Sequence, residues 1–225
     1  MQSFAEIHRL AADRHGGADA LEAGLSKPKT ADELKAIPDH RWLAMFSRVV
    51  FQAGMSWKVI DAKWPGFEEA FHGFDIAYCA GLTPDDLDTL AQDTRIVRSP
   101  PKIASVAFNA ALLRDVAVEH GSAAALFADW PADDFVGLLD LLRTRGNRLG
   151  GNSAAYALRF LGCDGMVFGR DGVAALIRAG VVDKPPKTKR DFAKVQAALN
   201  QWRAESGRTL TEISQILAKS IDAAG

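Results

Sequence analysis

Helix starts recur along this chain at short intervals, and they restrict its fold more than any other feature. Thr83-Pro84-Asp85-Asp86 combines a capping hydroxyl, a proline suited to the first helical position, and acids where the helix dipole favours them. Ser99-Pro100 repeats the device ahead of Ile103, Val106, Ala107, Ala110 and Leu113, which fall on helical spacing. Thr188 with Asp191, and Thr209 with Glu212, form capping boxes, in which a hydroxyl and an acid exchange hydrogen bonds with the backbone. Ser56 precedes Trp57-Lys58-Val59-Ile60, and Gly162, Gly180 and Gly207 fall where helices should stop. Strand signals are thin: Val49-Val50-Phe51 sits inside a helical pattern, and no hairpin dipeptide joins alternating segments. An all-α fold is expected, with roughly ten helices joined by short turns.

The chain has 225 residues, 48% hydrophobic and 24% charged, enough to bury a core as one large domain or two small ones. No apolar run is long enough for a membrane span, and the first residues lack a signal-peptide core. Two cysteines, Cys79 and Cys163, exclude a disulfide scaffold, a four-thiolate zinc site and a four-cysteine iron–sulfur cluster. A cytoplasmic location follows as the expectation. Residues 1–225 are expected to form a single unit of two helical layers or subdomains. Residues from about 40 to 140 would make one. Residues 1–39 plus 141–225 would make the other, carrying a hairpin at 145–162 and Asp171. A cleft between them would suit a ligand.

The net charge of −1 hides an asymmetry. Residues 143–190 hold ten basic side chains and only three acids, Asp164, Asp171 and Asp183, so the remainder of the chain is acidic. Such a block is either a polyanion-binding face or a solvated surface whose charges are balanced in three dimensions.

Within that block, a helix beginning near Phe135 runs into a turn holding Gly146, Gly150 and Gly151, and a second helix starts near Asn152. Glycine permits positive φ and close approach of a ligand, and the free N–H groups of a helix start attract anions. Gly150, Gly151, Asn152 and Ser153, flanked by Arg145, Arg148 and Arg159, are therefore candidates for holding a DNA phosphate; glycines between helices are also ordinary connectors. About twenty residues later, Asp171 precedes the helical face Val173, Ala174, Leu176 and Ile177. It is a helix N-cap, a carboxylate aimed at a sugar, or both. Upstream, Gly54 would end one helix and Ser56 would cap the next, leaving Trp57 either in the core or free to stack on a nucleobase.

These segments coincide with a known family. Gln52-Ala53-Gly54-Met55-Ser56-Trp57, Phe67 to Asp75, Arg95 to Arg98, Lys102-Ile103 and Asn109-Ala110 resemble DNA-3-methyladenine glycosylase I, a branch of the helix–hairpin–helix DNA glycosylases. The hairpin from Arg145 to Gly162, with Gly151 and Tyr156, resembles it too. Phe168-Gly169-Arg170-Asp171-Gly172-Val173 occupies the place of the wider superfamily's catalytic-aspartate motif. The chain departs from the family at Val49, where the methyladenine enzymes carry a base-reading glutamate, and in lacking their cysteine and histidine zinc ligands. No metal and no cofactor are expected. Bifunctional relatives form an imine through a hairpin lysine; here the positions are Asn152 and Ser153, so no lyase activity is expected.

The resemblance implies a monofunctional DNA glycosylase of base excision repair. It would hydrolyse the N-glycosidic bond of an alkylated or modified base in double-stranded DNA, as a monomer. Asp171 would stabilise the oxocarbenium-like sugar. Trp57, Gln52, Phe51 and Val49 would form the base pocket, and Arg148, Arg98 and Lys102 would add backbone contacts to those of the hairpin. A catalytically inactive DNA-binding relative is the alternative, favoured by Val49. A helical module that binds no nucleic acid is a third possibility.

Overall fold

The computed structural model describes residues 1–222, and among these every regular element is helical. In chain order the first seven are α1 (Phe4–Arg14), α2 (Ala18–Ala23), α3 (Ala31–Lys35), α4 (Asp39–Gln52), α5 (Trp57–Ala70), α6 (Ile76–Ala80) and α7 (Pro84–Gln92). The rest are α8 (Pro100–His120), α9 (Ala123–Ala128), α10 (Phe135–Arg145), α11 (Asn152–Leu161), α12 (Arg170–Arg178), α13 (Lys189–Ser206) and α14 (Leu210–Lys219). A 3-10 turn, His72–Phe74, follows α5. No helix among the described residues is long and apolar enough to cross a membrane.

The helix starts form much as the sequence dictates. Thr83, Thr188 and Thr209 each complete a capping box, opening α7, α13 and α14. Ser3 with Glu6 and Thr30 with Glu33 add two more, for α1 and α3. Ser56 and Ser99 occupy the N-cap positions of α5 and α8, but neither side chain makes a capping bond. Gly207 closes α13 in the left-handed region at φ 67°.

The chain divides into two compact units. The first comprises Met1–Lys29, Pro131–Leu138 and the residues from Gly162 onwards. Here α1 packs on α13 and α14, and α12 packs on α14. Ile7, Leu176, Val195, Leu199, Trp202, Ile213 and Ile216 are completely buried in its core. The Trp202 indole N–H donates to the Gln2 carbonyl at 3.1 Å, and the Phe4 N–H donates to Glu205 at 2.7 Å. Asp164 accepts from the N–H groups of Leu210 and Thr211, filling the start of α14 from outside the helix.

The second unit comprises Thr30–Trp130 and Leu139–Leu161, so α10 begins in the first unit and continues in the second. The boundary differs from the one expected from sequence, where the hairpin was grouped with the terminal segments. Here the hairpin belongs with residues 30–130, because its anchors lie there. The fully buried Asn109 of α8 clamps Asn147, accepting from its N–H at 2.8 Å and donating to its carbonyl at 3.1 Å. Leu149 is buried, as are Ala154, Ala155, Ala157 and Leu158 of α11, a helix that packs on α4. Elsewhere in this unit, Trp42 stacks on Phe127 at 4.5 Å, and Trp64, Phe67, Phe71 and Phe74 form an aromatic cluster. Asp39 accepts from the N–H groups of Ala123 and Ala124 at the start of α9.

Two consequences are measurable. A Cβ on Gly146 would lie 2.5 Å from the Leu142 carbonyl oxygen and 2.8 Å from Leu149. Gly146→Ala should therefore lower stability by about 1–3 kcal/mol in urea denaturation, the usual cost of overpacking. In the first unit, the N–H groups of Thr188 and Lys187 and then the Thr188 hydroxyl hold the Asp191 carboxyl at about 2, below its ordinary 3.8. A carboxyl depressed on folding contributes stability above its unfolded value and loses it as pH falls through its folded one. The melting temperature should drop as pH is lowered from 3.8 towards about 2. The drop should be shallower in Asp191→Ala.

Candidate functional site

Helix α4 gives way to a short, glycine-broken turn. Its backbone leaves the helix at Ala53, and Gly54 takes φ 72°, a conformation that a side chain would resist. The chain reverses within four residues and α5 begins at Trp57. A helix end leaves carbonyls without intrahelical donors. Lys102 of α8 supplies one, its Nζ donating to Phe51 O at 3.0 Å and Ala53 O at 2.7 Å. Burial, then the neighbouring Arg148 guanidinium, lowers the pKa of this lysine.

Above this turn lies a cavity of about 520 Å³, within the range of small-molecule sites. Its wall is made by Val49 and Gln52 at the end of α4, the turn Ala53–Ser56, Trp57, and Asn152, Ser153 and Tyr156 at the start of α11. All of these belong to the second unit. The Trp57 ring stands edge-on to Tyr156 and to Phe160, each at 5.9 Å, and those two rings stack on each other at 5.8 Å. The indole is 46% exposed, so a large face remains open. Gln52 is only 6% exposed, yet its Oε1 has no hydrogen-bond partner. A buried acceptor left unpaired is costly, on the order of 1–3 kcal/mol, unless a ligand or water meets it.

The sequence-derived candidates separate on this geometry. Trp57, Gln52 and Val49 come together with Asn152 and Ser153 around one cavity. Phe51 does not join them: it is fully buried, 4.5 Å from Phe67, and belongs to the core because it faces the opposite side of α4. Lys102, expected to touch DNA backbone, instead holds the end of α4. Arg148 takes φ 60° and donates to Pro101 O at 3.1 Å, anchoring the hairpin to α8. Gly150 and Gly151 are exposed, Gly151 at φ 57°, but the Ser153 N–H is engaged by Gly150 O. Arg98 is exposed.

Asp171 is in the first unit. It is not an N-cap: Gly169 holds that position, and Asp171 lies inside the first turn of α12, with its side chain 52% exposed and 3.5 Å from Arg170. The basic block also resolves residue by residue. Arg143 pairs with Asp140, Arg145 makes a bidentate pair with Glu119, and Arg178 donates to the Ser220 carbonyl and hydroxyl. Arg143 and Arg145 are thus neutralised by acids, and Arg178 is tied to neutral oxygens. Both thiols are buried, and burial pushes Cys79 and Cys163 up to about 12, leaving them protonated at neutral pH.

Tyr156 was not assigned to the pocket from sequence, although the spacing signals it. It lies four residues after Asn152 and three after Ser153, so all three share one face of α11. Met55 and Ser56 also reach the cavity and carry no such signal.

Residues 35–134 match the methyladenine glycosylase family. The match takes in α4, the turn and Trp57, and ends before the hairpin. DNA-3-methyladenine glycosylase of Haemophilus influenzae and DNA-3-methyladenine glycosylase 1 of Escherichia coli are each 36% identical over 59 residues, 26% of this chain. The aligned stretch spans 32% of the length of either relative. Among solved structures, a 3-methyladenine DNA glycosylase I variant from Staphylococcus aureus superimposes with a TM-score of 0.50 and 22% identity, covering 56% of this chain and 77% of its own. The 8-oxoguanine DNA glycosylase of Methanocaldococcus jannaschii gives 0.54 with 13% identity, covering 94% and 89%. The fold is thus the all-helical one of these solved structures, and the resemblance to methyladenine glycosylases read from the sequence holds over residues 35–134.

One consequence concerns the tie beneath the cavity. Lys102→Met removes the donor shared by two carbonyls and should cost about 1–3 kcal/mol in urea denaturation at neutral pH.

Proposed function

We propose that this chain is a monofunctional DNA glycosylase that removes alkylated bases from double-stranded DNA. The cavity carries the proposal: a half-exposed indole braced by two aromatic rings, above a buried amide with an unpaired acceptor, beside the glycine turn of a hairpin. The methyladenine glycosylase match over residues 35–134 supports it.

A base within a duplex cannot be reached, so the nucleotide must be flipped out. Trp57 offers the flipped base a stacking face, and stacking on an aromatic ring contributes about 1–3 kcal/mol per base. Gly150, Gly151, Asn152 and Ser153 would hold a phosphate near the flipped nucleotide, with Arg98 as a further backbone contact; such contacts position DNA without reading its sequence. The glycosidic bond breaks towards the base, which takes the electron pair. A purine alkylated at ring N3 or N7 is cationic in the nucleotide and leaves neutral, so no strong acid is required. The sugar becomes oxocarbenium-like, and water adds at its anomeric carbon and gives up a proton to solvent. In this proposal Asp171 supplies the carboxylate that stabilises the sugar cation. Asn152 and Ser153 cannot form an imine, so the chemistry ends at hydrolysis.

A second reading is a DNA-binding relative without catalysis. It is favoured by Val49, an aliphatic side chain in the cavity wall where the resembled enzymes carry a base-reading glutamate, and by the close pairing of Asp171 with Arg170.

Incubation with methylated duplex DNA and chromatography of the released bases separates the two. The glycosylase releases free alkylated purine without strand cleavage. Asp171→Asn should lower the release rate by about 100-fold or more, the scale of losing one preorganised electrostatic group. Duplex affinity should stay unchanged and should weaken as salt rises, because phosphate contacts release counterions. Salt-sensitive binding with no base released from any alkylated duplex would establish the second reading.

A further inference from the structure

Among the described residues, no Asp, Glu, Lys, Arg or His lines the cavity. Its buried, unpartnered polar group is the Gln52 amide: the residue is 94% buried by its 6% exposure, and Oε1 meets no donor. Nor does any protein group among the described residues hold its Nε2. An amide carries an acceptor on one side and a donor on the other, and half a turn about its terminal bond exchanges them. Most buried amides are fixed in one orientation by neighbours on both sides. No protein hydrogen bond among the described residues holds the Gln52 side-chain amide, so a half turn that brings either its oxygen or its nitrogen to the cavity breaks none.

This bears directly on which base the cavity takes. Adenine presents an amino donor where guanine presents a carbonyl acceptor. A fixed carboxylate would favour the first; a fixed ammonium would favour the second. A rotatable amide can accept from one or donate to the other. Of the other wall residues, Val49 contributes only shape, Trp57 stacks on any π face, and the Ser56, Ser153 and Tyr156 hydroxyls, like the Asn152 amide, can each donate or accept, so none of them by type favours adenine over guanine.

We infer that Gln52 is the edge-reading residue of this cavity and that it reads ambivalently, admitting N-alkylated adenines and N-alkylated guanines alike. The inference rests on the glycosylase proposal for its substrate class. Selectivity then comes from the leaving group. A purine alkylated at ring N3 or N7 departs neutral, whereas an unmodified purine would depart as an anion, and no carboxylic acid or ammonium group among the described residues lines the cavity to protonate it.

The test uses the whole protein and two free bases, 3-methyladenine and 7-methylguanine, with affinity measured by titration calorimetry. The two dissociation constants should lie within about tenfold of each other. Gln52→Met keeps the side chain's length and removes its hydrogen bonding, and it should weaken both bases by about tenfold while leaving their ratio within threefold. Gln52→Glu, ionised at pH 8, offers only acceptors and should shift the ratio towards 3-methyladenine by at least tenfold. Thermal melts establish that both variants fold. A wild-type preference above about 100-fold for either base, a Gln52→Met variant that weakens only one base or neither, or an absence of binding to both would overturn the inference. Binding of both bases without release from alkylated DNA would overturn the glycosylase proposal while supporting the role of Gln52.

Discussion

One helix, α8, holds both walls of the cavity. Near its start, Lys102 gathers the carbonyls of Phe51 and Ala53, which would otherwise end α4 unpaired. The Pro101 carbonyl receives the Arg148 guanidinium, and two turns further on Asn109 closes a double hydrogen bond with Asn147. The turn that presents Trp57 and the hairpin that presents Asn152, Ser153 and Tyr156 are therefore tied to the same rod. Neither segment has enough regular structure to fix its own position. A shift of α8 would move both, and the distance between Trp57 and Tyr156 would no longer be defined.

The charge pattern follows from the same economy of contacts. A run of ten bases between residues 143 and 190 reads as a polyanion-binding block along the sequence. In the fold it is shared between two units, and several of its members pair with acids or carbonyls. Arg145 meets Glu119, twenty-six residues upstream, because α10 passes the end of α8. Any attraction for phosphate must then come from exposed backbone amides and the remaining cations. The cavity is neutral for a related reason: the ionisable groups around it, Lys102 and Arg148, are turned onto carbonyls.

Much of the fold was legible before the structure. The Thr83, Thr188 and Thr209 boxes, the stops at Gly54 and Gly207, and the helical course of Val49 to Phe51 are local matters, decided within a few residues. The site was legible in part. Trp57 stood out as the first residue of a helix after a short, glycine-broken turn, and Gln52 through the resemblance to methyladenine glycosylase I. Tyr156 belonged to the same resemblance, but nothing local says that its helix lies against α4. Phe51 was misplaced because helical periodicity marks a buried side chain without saying whether it faces a core or a cavity. Asp171 was two residues out of register as a cap, since Gly169 is the N-cap and Arg170 already begins the helix.

What the sequence determined by itself is the helical nature of the chain and the points at which its helices start and stop, because capping chemistry acts over three or four residues. Which residues share a cavity was decided only by tertiary structure. Val49, Gln52 and Trp57 meet Asn152 and Tyr156 across about a hundred residues of chain. That meeting depends on α11 packing onto α4, and on Lys102 and Asn109 holding the segments on either side. The partners of a lysine or an asparagine are chosen by what packing brings within 3 Å of them, and no pattern along the chain encodes that distance.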